Sequence, residues 1–296
     1  MIIILAYFLD IFIGDMKILR WPVHALEIIT AKSISILKKV KNLWVTGLLL
    51  VIILYSITFA FSLAFLLILR KINSTMEFLG SVYLIFNSFS IKASEKRINN
   101  IYDKLYENDI YLAEKKLNLI SNKQIKNTGE KDLIKTTIAV TAQNTLNDFF
   151  APLLYAFFGG GIFALLYKCT YILYYTLSKT EIFDEVERNK INFFPHFILN
   201  LFNFLPSILL YLILPLASGW KKIKYLFFYM WHNKSKKFSI VKNVISEIGF
   251  NIYLFLNEEG EIKKEPEIDD ILESINYMYR ISYLCIVLFT IMYIFK

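Results

Sequence analysis

WVTGLLLVIILYSITFAFSLAFLLIL, running from Trp44 to Leu69, carries no charged residue and is closed by Arg70 and Lys71. An α-helix rises about 1.5 Å per residue, so this stretch crosses a hydrocarbon core of about 30 Å with length to spare for tilt. It reads as a membrane-spanning helix.

The rest of the chain has the composition that such a helix belongs to. Of its 296 residues, 56% are hydrophobic and 17% aromatic, and the mean hydropathy of +0.48 is too high for an ordinary soluble domain. Long apolar runs alternate with charged stretches, which predicts an all-α, polytopic integral membrane protein forming a single membrane domain over residues 1–296. About five spans are expected. After 44–69 comes a shorter one at 76–91, with Glu77 near its start. The third, 149–177, contains Pro152, Gly159-Gly160-Gly161 and Lys168, and is expected to be a broken or tightly packed helix. The fourth, 193–217, holds Pro195, Pro206 and Pro215, and the fifth covers 281–295, with Arg280 placed to snorkel. Residues 1–13 are apolar except for Asp10 and short for a span. They have no basic leader and no small-residue cleavage site, and read as an interfacial or short buried helix.

Basic residues are unevenly divided between the loops. Residues 15–43, 92–148 and 218–275 hold 25 of the 33 lysines and arginines, whereas 70–75, 178–192 and the last residue hold 6. Basic loops stay cytoplasmic, so five spans predict a cell-membrane protein with the three large loops in the cytoplasm. The net charge of +8 is spread over loops flanking the spans, which favours anionic lipid headgroups over nucleic acid as a partner. Within 92–119, Ile98, Ile101, Leu105, Leu112 and Leu117 recur at helical spacing, predicting one or two amphipathic cytoplasmic helices.

Generic catalytic motifs are absent. No phosphate-binding Gly-rich loop, nucleophile elbow, zinc-protease helix or kinase signature occurs, and the Gly triplet between aromatic residues reads as helix packing. Cys169 and Cys285 sit in apolar runs as packing residues. His24, His196 and His232 lack ligand spacing. A transporter would place more ionisable groups inside its spans than Lys168 and the flanking Glu77 and Arg280.

Local patterns along nearly the whole chain carry a resemblance. Leu9-Asp10-Ile11-Phe12-Ile13-Gly14-Asp15 is followed by Pro22-Val23; Asn108-Asp109-Ile110 precedes Ala113-Glu114-Lys115-Lys116-Leu117. The most specific block is Ala142-Gln143-Asn144-Thr145 with Ala151-Pro152-Leu153-Leu154-Tyr155, running into Gly159-Gly160 and Ala164-Leu165-Leu166-Tyr167-Lys168. Asn192, Pro195 and Asp269-Asp270-Ile271 follow in order. In these features the sequence resembles the CobD/CbiB family of cobalamin biosynthesis, the adenosylcobinamide-phosphate synthases. It departs from the family where two carboxylates are replaced by Ala139 and Gln143, where Asn122-Lys123-Gln124 stands for a Gly-Arg-Asp turn, and where 171–176 lacks the family's Asn-Thr-Leu-Asp-Ser-Met.

The resemblance implies ATP-dependent amide ligation of an aminopropanol, or its phosphate, to a carboxyl of adenosylcobyric acid. ATP and Mg²⁺ are then the implied cofactors, the corrinoid and the amine the substrates, and other enzymes of the pathway the implied partners. Carried over residue by residue, the implied catalytic groups are Asp15, Asn144 and Thr145. Lys123 and Lys168 would bind substrate, and Asp15, Asp148, Asp269 and Asp270 would hold metal, with Asp10 a further candidate. Bland readings stand beside these: Asp15 ending an apolar helix, Asn144 and Thr145 capping one, Asp269-Asp270 opening one. The missing carboxylates leave a second reading open, a family-like scaffold or corrinoid-handling protein without catalysis. Five spans also put Asn192 and Pro195 on the face opposite Asp15 and Asn144, unless a span is miscounted.

Overall fold

Asn42 accepts from the backbone N–H groups of Trp44 and Val45 at 3.1 and 3.4 Å, and these caps start the longest unbroken helix among the described residues. Its end is set by Asn73, whose extended backbone stops one helix while its side chain caps the next by accepting from Met76 N at 2.7 Å. In the computed structural model, residues 1–16, 18–37, 40, 42–121, 125, 128–218, 250, 254 and 265–294 are described. They contain no strand. The helices are α1 (Ile2–Ile13), α2 (Trp21–Leu37), α3 (Leu43–Ile72), α4 (Ser74–Ser88), α5 (Ile91–Tyr106), α6 (Ile110–Ile120), α7 (Glu130–Asn144), α8 (Ala151–Lys179), α9 (Glu185–Ile191), α10 (Phe193–Ala217) and α11 (Asp269–Ile294). A π-helical turn, Thr145–Phe150, joins α7 to α8.

Among the described residues, four helical runs are long and apolar enough to cross a membrane: Leu43–Ile72, Glu130–Lys179, Phe193–Ala217 and Asp269–Met292. The chain is an all-α integral membrane protein. The short span expected at 76–91 is α4, whose 15 residues reach about 22 Å against a core of about 30 Å. The stretch expected to be an interfacial or short buried helix is α1, of 12 residues, with Ala6, Tyr7 and Asp10 buried.

Two compact units are distinguished. The first comprises Met1–Ser90 and Asn147–Phe202. Its core gathers Leu26, Leu50, Leu54, Leu84, Leu165 and Leu173 from α2, α3, α4 and α8. A second cluster sets Tyr167 and Leu199 among Tyr155, Tyr171, Tyr174 and Phe202. Several polar side chains in the apolar layer find partners within the unit. Thr58 and Ser62 donate to carbonyls four residues back at 2.7 Å, and Tyr55 Oη meets Thr170 Oγ1 at 2.5 Å.

The run Glu130–Lys179 is not one rod. A straight helix separates residues twenty apart by about 30 Å, yet Tyr167 Oη donates to Asn147 Oδ1 at 2.9 Å and the Tyr155 and Tyr167 rings stack 5.5 Å apart. The chain reverses at Gly160, whose φ of 67° and ψ of −162° lie in a region essentially closed to other residues. The expected broken helix is therefore a hairpin, with arms 145–159 and 161–179. Gly160 makes the turn and a Cβ there would meet nothing within 4 Å, whereas a Cβ on Gly161 would come within 2.7 Å of Leu84 Cβ. Turn and close packing, expected of the triplet as a whole, fall on different residues.

The second unit comprises Ile91–Leu146 and Asn203–Lys296. α5 buries Ile98, Ile101 and Leu105 and α6 buries Leu117, as their spacing predicts. α5 lies antiparallel to α11, with Tyr102 Oη donating to Asp269 Oδ1 at 3.2 Å and Tyr279 Oη to Glu95 Oε2 at 2.5 Å. Cys169 in the first unit and Cys285 in the second are buried free thiols.

Candidate active site

In the first unit the end of α1, the start of α2, the end of α4 and both arms of the α8 hairpin bring charged side chains into the interior. Arg20 is 2% exposed and ion-pairs with Asp10, which is fully buried. Its Nε donates to Gly14 O at 3.0 Å, its Nη1 donates to the Phe89 carbonyl, and its guanidinium lies 4.7 Å from the centre of the Phe86 ring. Gly14 caps α1 and Phe89 caps α4, so one planar cation meets the C-terminal carbonyls of two helices, where partial negative charge accumulates. Asp15 Oδ1 lies 3.5 Å from the same Nε, and its side chain is 47% exposed. It is the open carboxylate of the group.

The neighbouring residue, Ser90, leads to a second pair. Lys168 Nζ donates to Asp148 Oδ1 at 2.7 Å and to Ser90 Oγ at 3.1 Å, with both charged side chains about 5% exposed. The local sequence explains the junction. Pro152 has no N–H to offer the carbonyl four residues before it, and that carbonyl, Asp148 O, accepts from Ser90 N at 2.9 Å instead. Beside it Asn87 donates to Tyr83 O at 2.9 Å and Leu19 O at 3.4 Å. Phe89 to Ser90 thus joins the two ion pairs.

The sequence-based candidates fall in several settings. Asp10, Asp15, Asp148 and Lys168 are in the first unit, where Arg20 gathers the first two and the last two pair with each other. Asn144 and Thr145 end α7 and open the π turn; both are buried, and Thr145 Oγ1 donates to Thr141 O at 2.9 Å. In the second unit Asp270 is buried and accepts from Glu267 N at 2.7 Å, as a residue opening a helix does, while Asp269 is exposed and accepts from Tyr102. Lys123 lies outside the described residues, as do His232 and most of 218–275. Asn192 donates to Ser178 Oγ at 3.0 Å and Tyr174 O at 3.4 Å, tying it to the second arm of the hairpin. Among the described residues no three His, Cys, Asp or Glu side chains gather in a form that could hold a metal ion.

Arg20, Ser90 and Asn147 were not singled out from the sequence. The signal for Arg20 was a lone charge between Ile18-Leu19 and Trp21, since a charge held in apolar sequence needs a buried partner. Ser90 and Asn147 have no such signal.

The family model described as CobD/Cbib protein matches residues 3–237 of this chain. The chain belongs to the CobD/CbiB family. A protein of Leptospira interrogans called cobalamin biosynthesis protein CobD is 24% identical, over 98% of this chain and 96% of its own length. Proteins of the same name from Clostridium perfringens and Clostridium acetobutylicum are 27% and 29% identical, over 95% and 73% of this chain and 94% and 70% of their own lengths. No solved structure matches the chain. The CobD/CbiB match takes in both buried ion pairs and stops short of Asp269 and Asp270.

Proposed function

We propose that this chain is a divergent membrane ligase of cobamide synthesis, joining an aminopropanol or its phosphate to adenosylcobyric acid. The observation that carries this reading is the near full-length similarity to proteins named for cobalamin biosynthesis, 95% of this chain in the Clostridium perfringens case. In the reaction a carboxyl of the corrinoid is activated by ATP, the amine nitrogen attacks the activated carbonyl, and an amide bond replaces the bond to the phosphorylated leaving group.

Mg²⁺ on nucleotide phosphates needs only one or two protein carboxylates. Asp15, half exposed and fixed by Arg20, fits that need. Asp148 and Asp270 fit it less well, since Lys168 and the Glu267 N–H already draw on them. When bound, the ion would offset charge on the phosphates. Asn144 offers neutral hydrogen bonds to substrate, and Thr145 fixes the π turn by its back-bond to Thr141. Lys168 acts with Asp148 to hold the junction, and Lys123 remains a candidate for binding phosphate. The corrinoid and the amine are the proposed substrates, and the basic loops 15–43 and 92–148 are proposed to face the cytoplasm.

The test is ATP-dependent conversion of adenosylcobyric acid by purified protein with Mg²⁺. Wild type should form product, Asp15→Asn should not, and Glu107→Gln, on an exposed side chain paired with Lys104, should behave as wild type. No product from wild type, where another member of the family is active, replaces the ligase with a non-catalytic corrinoid-handling protein. That second reading is favoured by one specific feature, the Ala139 and Gln143 that stand where the resemblance to the family implies carboxylates.

A further inference from the structure

We infer that residues 145–179 form a membrane hairpin, stapled by Asp148 and Lys168, that enters and leaves on the face where α3 begins, so the segment 180–192 lies on that face.

Only the first unit is needed for this. The Asp148–Lys168 and Asn147–Tyr167 contacts, each spanning twenty positions, show the two arms side by side and antiparallel. The second arm rises past Thr170, which meets Tyr55, to Tyr174 and Ser178, both held by Asn192. Asn192 directly follows α9, and the end of α9 is pressed on the start of α3. A Cβ on Gly47 would overlap the Ile191 carbonyl oxygen, and the Trp44 and Phe193 rings lie 4.5 Å apart. The other end of α3, about 45 Å away for its 30 residues, turns at Asn73 into α4, where Gly80 packs on Leu69 and Leu66. From there α4 climbs past Ser81 and Leu84, against Gly161, to Ser90, which bonds both Asp148 O and Lys168.

The first arm therefore descends toward the far end of α3, the chain reverses at Gly160, and the second arm returns. Counting 149–177 as one crossing puts 178–192 opposite 15–43. The hairpin reverses this and puts Lys179, Arg188 and Lys190 with 15–43. A spanning 193–217 then carries the nine basic residues of 218–275 to the other side, so the internal contacts carry the hairpin against the charge rule. It also removes the conflict over Asn192, which shares an end of the unit with the start of α3. A lysine and an aspartate at this depth are tolerable because each neutralises the other and both are hydrogen-bonded.

The test uses the full chain in cells, with single cysteines at exposed Ser35, Thr75 and Glu181 and a membrane-impermeant maleimide, the native cysteines being buried. Glu181→Cys should label from the same side as Ser35→Cys and from the opposite side to Thr75→Cys. Labelling of Glu181→Cys together with Thr75→Cys overturns the hairpin, as does labelling of all three from one side. For the staple, Asp148→Lys should lower folded yield by on the order of tenfold, and adding Lys168→Asp should restore both yield and the Glu181→Cys pattern. An unaffected single variant, or a double variant no better than the single, overturns the staple.

Discussion

Lys168 Nζ sits 2.7 Å from Asp148 Oδ1 although twenty positions separate the two residues along what is otherwise a single helical run. Each charge is buried and each supplies the other's compensation, so removing one leaves the other stranded. Lys168→Met should cost about 3–5 kcal/mol, while Lys168→Met with Asp148→Leu should cost less than the single change. Thermal unfolding in detergent reads both. A single variant as stable as wild type would mean that the pair does not hold the fold.

The glycines at the turn should separate by mechanism. Gly160→Ala places a Cβ in open space but on a backbone with φ of 67° and ψ of −162°, a conformation that costs non-glycine residues about 1–3 kcal/mol. Gly161→Ala keeps a normal helical backbone but sets its Cβ 2.7 Å from the Leu84 Cβ, an atom alanine would keep, so only Leu84→Gly removes the overlap. Gly161→Ala with Leu84→Gly should therefore cost less than the sum of the two single changes. For Gly160→Ala the effect of Leu84→Gly should simply add. Coupling in both pairs, or in neither, would contradict the division of roles.

How much could be read beforehand followed from which forces act locally. The apolar run from Trp44 to Leu69 announces α3 because length and hydropathy suffice in a bilayer, and Ile98, Ile101 and Leu105 announce the buried face of α5 by spacing alone. Pro152 and the Gly triplet announced a break after residue 149. They did not announce a reversal, because a kinked rod and a hairpin have the same apolar sequence and differ only in the φ of Gly160 and in the meeting of Asp148 with Lys168. Of the site, Asp15, Asp148 and Lys168 were implied by the resemblance to the family. Arg20 was adjacent to a noted motif and still passed over, since its partners are two carbonyls and an aspartate from separate segments. Ser90 acts through its backbone N–H and an Oγ that accepts from Lys168, contacts between distant segments that a single serine in the sequence does not announce.

The contact of α3 with α9 gives a prediction of another kind. The atom that a Cβ on Gly47 would overlap is the Ile191 carbonyl oxygen, which belongs to the backbone and cannot swing aside. Gly47→Ala should therefore lower the thermal midpoint, with overpacking of this sort costing about 1–3 kcal/mol. Gly129→Ala, with nothing within 4 Å of the added Cβ, is the comparison and should show only the smaller cost of alanine at a helix N-cap. Equal effects of the two changes would place α9 elsewhere.

The two carboxylates that Arg20 holds should divide fold from chemistry. Asp10 is fully buried and its charge is met by a buried guanidinium, so Asp10→Ala strands that cation among the carbonyls of Gly14 and Phe89 and should cost about 3–5 kcal/mol. Asp15 is 47% exposed at 3.5 Å from Arg20 Nε, a geometry in which an ion pair contributes roughly 0–1 kcal/mol. Asp15→Asn should accordingly unfold at nearly the wild-type temperature. If Asp15 holds Mg²⁺ with the nucleotide phosphates, an amide at that position cannot offset the charge, and ligation should fall by about a hundredfold or more. Unfolding measured beside the ATP-dependent assay separates the outcomes. Loss of stability with Asp15→Asn would make it a structural partner of Arg20 like Asp10, and unchanged stability with unchanged ligation would remove Asp15 from the site while leaving the family's reaction intact.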